Sequence, residues 1–293
     1  MPQNFIDRTS RFLENLGASV KSLVKIAVSG KPTLRPSLCH RNQEPCRRLI
    51  ILGNGPSLRQ NLDNDMAILS ACHTMAVNFA ANTPEFFKLR PEYYVLADPH
   101  FFSNLSDPNV SRLITSLNAV DWPMTIFVPS SARLKAGLLN NPCLKTEKFP
   151  FVAAEGFPSF VAMVLSRAWA MPRPRNVLIP SIMIGAWLGY DEIYLLGADH
   201  SWLKTLSVTD ENQVVTVQPH FYKEDKREEE RIRSVYEGRK LHELLESFRI
   251  AFSSYHTIEN WASRNGISII NATPGSMIDA FRRASLSSLK NAD

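Results

Sequence analysis

The 293-residue chain is 44% hydrophobic, which is enough for one large α/β domain with a small appendage. Its formal net charge of +5 suits an anionic ligand or an anionic membrane surface. The basic residues are scattered and are not interleaved with aromatic residues, so the composition argues against nucleic-acid binding.

Cysteine spacing and hydropathy indicate the compartment. The four cysteines show no Cys-x-x-Cys pattern, so neither a zinc site nor a disulfide framework is expected. No apolar run reaches the length of a transmembrane helix, and Asp7 and Glu14 interrupt the region where a signal peptide would be apolar. We therefore expect a cytoplasmic protein, either free or peripheral on the inner face of the membrane. The sequence leaves homo-oligomer formation open.

The first predicted element is an amphipathic helix over residues 4–28. Its apolar side chains fall near one face and its basic side chains fall largely elsewhere. This pattern is typical of a helix packed on its own domain, and also of a helix lying on a membrane surface. Residues 30–47 contain three prolines and several charges, so residues 1–47 are predicted to form an N-terminal helix and linker.

The most informative stretch is residues 48–58. Leu49 to Leu52 form a continuous apolar run, as in a strand buried on both faces. The turn Gly53-Asn54-Gly55-Pro56-Ser57 follows it, and Pro56 suits the start of a helix. A glycine-rich turn after a buried strand is a common nucleotide site in α/β sheets, and Ser57 or Asn54 is placed to donate to a phosphate. The alternative is a plain strand-to-helix turn, because the pattern is neither a Walker loop nor Gly-x-Gly-x-x-Gly.

Polar residues recur where the following predicted strands end. Asn78 follows the strand 74–77, and Asp98 follows the strand 93–97. Ser130 and Ser131 come after the strand 124–128. Because ligands bind at the carboxyl ends of strands in open α/β sheets, this series supports a site at that edge.

The second half of the chain repeats the alternation of helix and strand. Helices are predicted over 159–170 and 176–189, and the strand 193–196 ends in Gly197-Ala198-Asp199-His200. Residues 203–222 lack a strong period and are predicted to form a lid or small hairpin. The remaining predictions are a charged helix from about 223 to 264 with a possible break, a strand over 267–270, a short helix to 283, and a tail over 284–293.

The glycine-rich turn and several later segments resemble the bacterial sialyltransferases of glycosyltransferase family 42. They also resemble a broader group that includes 6-hydroxymethylpterin pyrophosphokinase-like proteins. Besides Gly53–Leu58, the similarity includes Leu188–Leu195, Gly197–Asp199, His220–Tyr222 and Thr273–Ser276. It runs in order from about residue 48 to 283, which we take as the catalytic domain.

The resemblance implies a single Rossmann-type, GT-A-like α/β domain with a mostly parallel sheet. It further implies an inverting glycosyltransferase that moves a sialic-acid-type or Kdo-type sugar from a CMP-activated donor to a bacterial surface glycan or glycolipid, as in lipopolysaccharide biosynthesis. By the same resemblance and by its position after the predicted lid, His220 is the general base. His200 is a second catalytic candidate because it follows a predicted strand, and Tyr222 is a third because it shares a face with His220 in an extended segment. The implied donor-binding residues are Gly53, Asn54, Gly55, Ser57, Asn78, Asp98, Asn176, Asp199, Thr273 and Ser276.

Departures from the family pattern keep two other functions open. Asp98 stands where the family has Asn, and Asn176-Val177-Leu178 replaces the Ser-Gly pair that begins the family's sugar-binding helix. A CMP donor needs no metal because its single leaving phosphate can be neutralised by protein donors. If Asp98 and Asp199 instead bind Mg²⁺, pyrophosphoryl or phosphoribosyl transfer becomes the alternative. A third possibility is a non-catalytic nucleotide-binding partner of a membrane assembly.

Overall fold

The computed structural model describes residues 2–37, 47–216, 221 and 238–287, with side chains from residue 8 onward. The strands are β1 (Arg48–Leu52), β2 (His73–Val77), β3 (Tyr93–Val95), β4 (Met124–Pro129), β5 (Leu144–Phe149), β6 (Glu192–Leu196), β7 (Ser207–Val208), β8 (Val214–Val215), β9 (Ser268–Asn271) and β10 (Arg282–Arg283). The helices are α1 (Pro2–Val28), α2 (Leu58–Asn64), α3 (Met66–Ala71), α4 (Pro84–Leu89), α5 (His100–Ser103), α6 (Pro108–Asn118), α7 (Pro158–Ser166), α8 (Leu178–Trp187) and α9 (Leu241–Arg264).

Eight of the strands form one sheet in the order β10-β9-β6-β1-β2-β3-β4-β5, and each of its pairings is parallel. From β1 the chain moves outward through β2 to β5, then returns to β6 on the other side of β1. The strand order therefore reverses between β1 and β6. In open α/β sheets such a reversal opens a crevice at the carboxyl edge, which is where ligands bind.

Helices cover both faces of this sheet, as its apolar strands require. Leu49 and Ile51 of β1 face a core formed with α7, α8 and α9, whereas Ile50 and Leu52 face α2 and α3. Farther along the sheet, α4 and α6 cover the same face as α2 and α3. The predicted α/β class, with a strand buried on both faces, is confirmed.

Helix α8 is buried along its whole length and lies very close to the sheet. A Cβ on Gly185 would come within 2.7 Å of Leu49 Cδ2 and 3.2 Å of Ile193 Cδ1, so a glycine allows this approach. Since α8 leads into β6 and runs back along it, the helix begins at the carboxyl edge of the sheet. Its first turn therefore lies beside the crevice between β1 and β6.

The N-terminal segment packs onto this domain. The backbone N–H groups of Thr33 and Leu34 donate to Lys148 O of β5 at 2.9 and 3.0 Å, and Leu34 is buried. Ser37 N donates to Trp187 O at 2.7 Å. Within the predicted linker, Thr33 and Leu34 therefore lie along the edge strand β5 and Ser37 reaches the end of α8. Residues 38–46 lie outside the described part of the chain.

Some local predictions were wrong. Strand β5 was missed because its exposed edge carries polar residues between prolines. The predicted short helix before residue 283 is absent: Ile278 and Phe281 are buried in an extended segment, and Arg283 Nη2 donates to Ser276 O and Ile278 O. Leu286, inside the predicted tail, is also buried.

Two other predictions hold within the described residues. Strands β7 and β8 form an antiparallel hairpin inside the predicted lid. Helix α9 begins at Leu241, after Gly238 with a φ of 74°, and confirms the second part of the long predicted helix. The first part, the charged stretch over residues 223–237, lies outside the described residues. No described helix combines the length and the apolar content that crossing a bilayer requires.

The contact between α1 and Gly156 provides a test of this arrangement. A Cβ on Gly156 would lie 2.6 Å from Ser19 N and 2.8 Å from Asn15 O, which are backbone atoms of α1. We expect Gly156→Ala to lower the free energy of unfolding by about 2–4 kcal/mol, combining overpacking with the strain of a positive φ. It should also expose the segment that joins α1 to the domain to limited proteolysis.

Gly137→Ala is the matched control. Gly137 also has a positive φ, but a Cβ there would meet nothing within 4 Å. In this variant only the strain of a positive φ should lower the free energy of unfolding, by about 1–2 kcal/mol. The proteolysis pattern should stay that of the wild type. Equal protease sensitivity in the two variants would contradict the docking of α1 against residue 156.

Candidate functional site

The loops that follow β1 and β6 are joined backbone to backbone. Gly53 N donates to Leu196 O at 2.8 Å, and Gly55 N donates to Gly197 O at 2.9 Å. A Cβ on Gly53 would lie 2.5 Å from Gly197 O, and a Cβ on Gly197 would lie 2.3 Å from Gly53 O. The two glycines therefore permit a contact that extends strand pairing past the ends of both strands.

Asp199 fastens the same turn from the β6 side. Its Oδ2 accepts the Ser57 hydroxyl at 2.8 Å, and its Oδ1 accepts Ser57 N at 3.3 Å. Burial raises the pKa of Asp199, and the bonds from Ser57 oppose that rise. A Cβ on Gly55 would lie 2.0 Å from Asp199 Oδ2, so Gly55 makes room for this carboxylate. Ser57 stabilises the turn here, and its contact with a phosphate stays a prediction.

A cavity opens at the point where these loops meet. Four pieces of chain form its wall: the turn after β1, the end of β2, the start of α8 and the loop after β6. It brings together seven of the predicted site residues: Gly53, Asn54, Gly55, Asn78, Asn176, Asp199 and His200.

Two amide oxygens in this wall lack hydrogen-bond partners among the described residues. Asn54 Oδ1 and Asn78 Oδ1 are buried and accept no hydrogen bond, while Asn54 Nδ2 donates to Val77 O at 3.4 Å. Asn78 has a φ of 52°, and the Tyr94 hydroxyl donates to its carbonyl oxygen. Leaving a buried acceptor unpaired costs about 1–3 kcal/mol. A ligand that donates from a hydroxyl or an N–H would remove that cost.

The first turn of α8 adds a positive end to the cavity. Asn176 Oδ1 accepts from Leu178 N at 3.0 Å and from Ile179 N at 3.4 Å, and so caps the helix. The hydroxyl of Tyr255, on α9, donates to the same oxygen at 3.0 Å. Within the described residues Asn176 Nδ2 makes no hydrogen bond, so it is the remaining donor of that side chain. A donor at a helix N-terminus favours an anion such as phosphate.

His200 completes a hydrogen-bonded chain with Tyr255 and Asn176. Its Nε2 lies 2.8 Å from the Tyr255 hydroxyl. Because that hydroxyl donates to Asn176, we assign the proton to His200 Nε2, which leaves the lone pair on Nδ1. Burial lowers the pKa of His200 to about 4, so the imidazole is neutral at pH 7. Such a pKa makes His200 a weak base, and its predicted catalytic role stays a prediction.

Sequence reasoning missed Tyr255 and Trp202. Tyr255 was assigned to the apolar face of a helix, although its hydroxyl, once buried, needs a partner. It is fully buried beside His200, and burial raises its pKa. Trp202 lies against both His200 and Phe248, with ring centroids 5.3 and 4.1 Å apart. The sequence feature that could have identified Tyr255 is a hydroxyl-bearing residue on the apolar face of a predicted helix.

Besides Ser57, three predicted ligand-contacting residues do not line the cavity. Asp98 is exposed and accepts from His100 N at 2.9 Å. Thr273 and Ser276 are buried behind the loop after β6: Ala198 N donates to Thr273 Oγ1 at 3.0 Å, and Ser276 Oγ donates to Ala198 O at 2.6 Å. They brace that loop and do not line the cavity. Among the described side chains, no group of three or more His, Cys, Asp or Glu residues converges as a metal site would require.

His220 and Tyr222 lie outside the described residues. Phe221, which stands between them in the chain, is described and contacts the site. Its N–H donates to Asn54 O at 2.9 Å, and the Arg59 guanidinium carbon lies 5.6 Å from its ring centroid. The chain therefore passes the glycine-rich turn at this point.

The buried imidazole predicts a specific dependence of stability on pH. The folded state holds His200 with a pKa of about 4, below the ordinary 6.5, so the unfolded state binds its proton more readily. The contribution is complete above pH 6.5 and is lost as the pH falls from 6.5 toward 4. Its full size is on the order of 3 kcal/mol. Urea unfolding of His200→Gln at several pH values should show that this part of the pH dependence is gone.

His242→Gln is the control, because His242 is exposed at the start of α9. It should keep the wild-type loss of stability between pH 6.5 and 4. A His200→Gln profile that runs parallel to wild type would show that His200 is not held neutral by burial.

Comparison with known proteins identifies a fold. No protein-family model matches the sequence, and no curated protein is significantly similar to it. Among solved structures, the MAf glycosyltransferase from Magnetospirillum magneticum AMB-1 is similar, with a TM-score of 0.50 and 12% sequence identity. The likeness covers 94% of this chain and 39% of that chain, so this chain spans well under half of its length. The chain therefore has an α/β fold that a known glycosyltransferase also contains.

Proposed function

We propose that this protein is an inverting glycosyltransferase that uses a CMP-activated sugar acid and transfers it to a bacterial surface glycan or glycolipid. The observation that carries the proposal is the pair of unpartnered amide oxygens, on Asn54 and Asn78, beside the capped start of α8. A nucleotide supplies the hydroxyl and amino donors that these oxygens lack, and a phosphate for the helix terminus. The fold likeness supports sugar transfer in general, and the CMP donor is supported by the sequence resemblance.

The geometry favours the start of α8 as the phosphate site. The turn after β1 is a poor source of free donors, because Gly53 N, Gly55 N and Ser57 N are already hydrogen-bonded. Asn176 Nδ2 remains, at the positive end of α8. The nucleoside then lies toward Asn54 and Asn78, with its hydroxyl groups donating to their Oδ1 atoms.

Transfer requires a base for the acceptor. The acceptor oxygen attacks the anomeric carbon, the bond to the phosphate oxygen breaks, and CMP leaves with the electron pair. The acceptor proton passes to a side chain that acts as general base. His220 is our candidate because the N–H of Phe221, its neighbour in the chain, donates a hydrogen bond to the carbonyl oxygen of Asn54 in the cavity wall. His200 is the weaker candidate, since a pKa of about 4 leaves it little affinity for a proton at pH 7.

Nucleotide binding is the direct test. We expect CMP to raise the melting temperature more than CDP, UDP, GDP, ATP or phosphoribosyl pyrophosphate does. A ligand at about 100 times its Kd stabilises the protein by about 2.7 kcal/mol. Asn54→Ala should weaken CMP binding by about 5- to 100-fold, because a ligand hydroxyl loses its acceptor. Isothermal titration calorimetry measures the change.

Asn140→Ala is the matched control, since Asn140 is exposed and does not line the cavity. It should bind CMP as wild type does. Sugar transfer is also measured with EDTA and with Mg²⁺, and the CMP-sugar proposal predicts nearly the same rate in both. A transfer rate that collapses in EDTA and returns with Mg²⁺ would contradict the CMP-sugar proposal and favour pyrophosphoryl transfer.

The pH–rate profiles of two variants test whether His220 or His200 is the general base. Removing a general base typically lowers the rate by about 10²- to 10⁴-fold, so His220→Ala should lose that much kcat and leave CMP affinity nearly unchanged. The acid limb of the kcat profile should disappear in this variant. His200→Gln should retain the acid limb. The opposite result, in which His220→Ala is nearly normal and His200→Gln loses the limb, would assign the base role to His200.

A further inference from the structure

Helix α1 carries a row of apolar side chains that the described part of the domain leaves exposed. Leu13, Leu23 and Val24 are 60%, 52% and 57% exposed. Monomeric proteins rarely expose contiguous apolar patches beyond a few hundred Å² unless the patch binds something. The large exposed apolar side chains of α1 are Phe12, Leu13, Leu16, Val20, Leu23, Val24 and Val28. Positions 13, 16, 20, 23 and 27 form the row itself, and the others border it.

The same helix uses a different face to dock onto the domain. Ser22 Oγ donates to Glu155 O at 3.0 Å and accepts from Glu155 N at 2.9 Å. Ser19 Oγ accepts from Phe157 N at 3.0 Å. Of the apolar side chains of α1, Ile26 packs against the core and Phe12 touches Phe157 at its edge. Small polar residues therefore make most of the contacts that dock α1 onto the domain, and most of the apolar row makes no contact with the described part of the domain.

The positions of the two faces suit a flat surface. At about 100° per residue, the row at 13, 16, 20, 23 and 27 centres roughly 110° from the docked residues 15, 19, 22 and 26. When the apolar row faces a plane, the docked face of the helix therefore points sideways and about 20° away from that plane. The residues that dock α1 onto the domain do not lie in the contact with the plane.

The charges around the apolar row favour an anionic surface. Residues 8–28 contain four basic residues and one acid, Glu14. Two of the basic residues, Arg11 and Lys25, lie about 160° from the centre of the row, on the far side of the helix. On the same helical projection, Arg8 and Lys21 flank the row on its two sides, about 100° and 120° from its centre. Basic side chains at these borders reach the headgroup level of a bilayer while the apolar row enters it.

A second copy of the chain is a poorer fit to the same row. The row has heptad spacing, but the flanking positions 10, 17 and 24 on one side and 12, 19 and 26 on the other carry no charged residue that would set a partner's register. On the second flank, Phe12 and Ser19 contact this domain's own Phe157. A partner helix would have to compete with the domain there, whereas a bilayer needs no register.

We propose that α1 binds the interface of a membrane rich in anionic lipid. Its apolar row enters the bilayer, and the α/β domain is held beside the helix. The proposal does not depend on the reaction proposed above. It places the crevice between β1 and β6 on a protein bound to the membrane surface, within reach of lipid-linked molecules.

Co-sedimentation of the full chain with vesicles tests the proposal. The protein should bind vesicles of phosphatidylcholine with phosphatidylglycerol, and bind pure phosphatidylcholine more weakly. Leu16→Glu combined with Leu23→Glu should reduce binding to the anionic vesicles by about tenfold or more, since each charge enters the apolar row. Both residues are exposed, so circular dichroism and the melting temperature should stay native. Leu245→Glu, at a 47% exposed position on α9, is the control and should bind as wild type does.

A second pair of variants tests the charges. Arg8→Gln with Lys21→Gln should weaken binding to the anionic vesicles by about tenfold, and leave binding to phosphatidylcholine unchanged. Two results would overturn the proposal. One is equal vesicle binding by wild type and the Leu16, Leu23 variant. The other is a wild-type dimer in analytical ultracentrifugation that ignores vesicles and becomes monomeric in that variant, which would assign the row to a second copy.

Discussion

The joint between the loops after β1 and β6 is the constraint on which the site depends. Two backbone hydrogen bonds, from Gly53 N and Gly55 N, continue the pairing of the central strands beyond their ends. Asp199 fixes one side through Ser57, and Thr273 and Ser276 fix the other through Ala198. With both loops held, the cavity is bounded by rigid backbone at the point where the strand order reverses.

This joint changes the roles of the residues within it. A glycine-rich turn is usually expected to offer its N–H groups to a phosphate. Here those groups are paired with the neighbouring loop, and the space beside Gly55 is filled by Asp199. The remaining polar capacity lies on Asn54, Asn78 and Asn176, which are amides. Among the described residues, the Oδ1 atoms of Asn54 and Asn78 are left to accept hydrogen bonds, and Nδ2 of Asn176 is left to donate one.

The chain from His200 through Tyr255 to Asn176 links this cavity to α9. It fixes the imidazole tautomer and orients the amide that caps α8. Because Tyr255 is fully buried and donates to Asn176, a movement of α9 would displace the side chain that caps α8. The same helix carries Phe248 and Phe252, which pack on Trp202 and His200. The aromatic cluster therefore surrounds His200, whose φ of 53° is left-handed.

The sequence alone determined the α/β class, the central strands, the position of the glycine-rich turn and the amphipathic character of α1, because periodicity and apolar runs are local signals. It also selected Asn54, Asn78, Asn176, Asp199 and His200, since these follow strands or begin a helix. Only the tertiary structure decided that Thr273 and Ser276 brace a loop, that Asp98 lies outside the cavity, and that β5 joins the sheet edge. It alone showed that α1 docks by its serines and leaves its leucines exposed. These outcomes depend on which distant segments meet, and a local pattern carries no information about that partner.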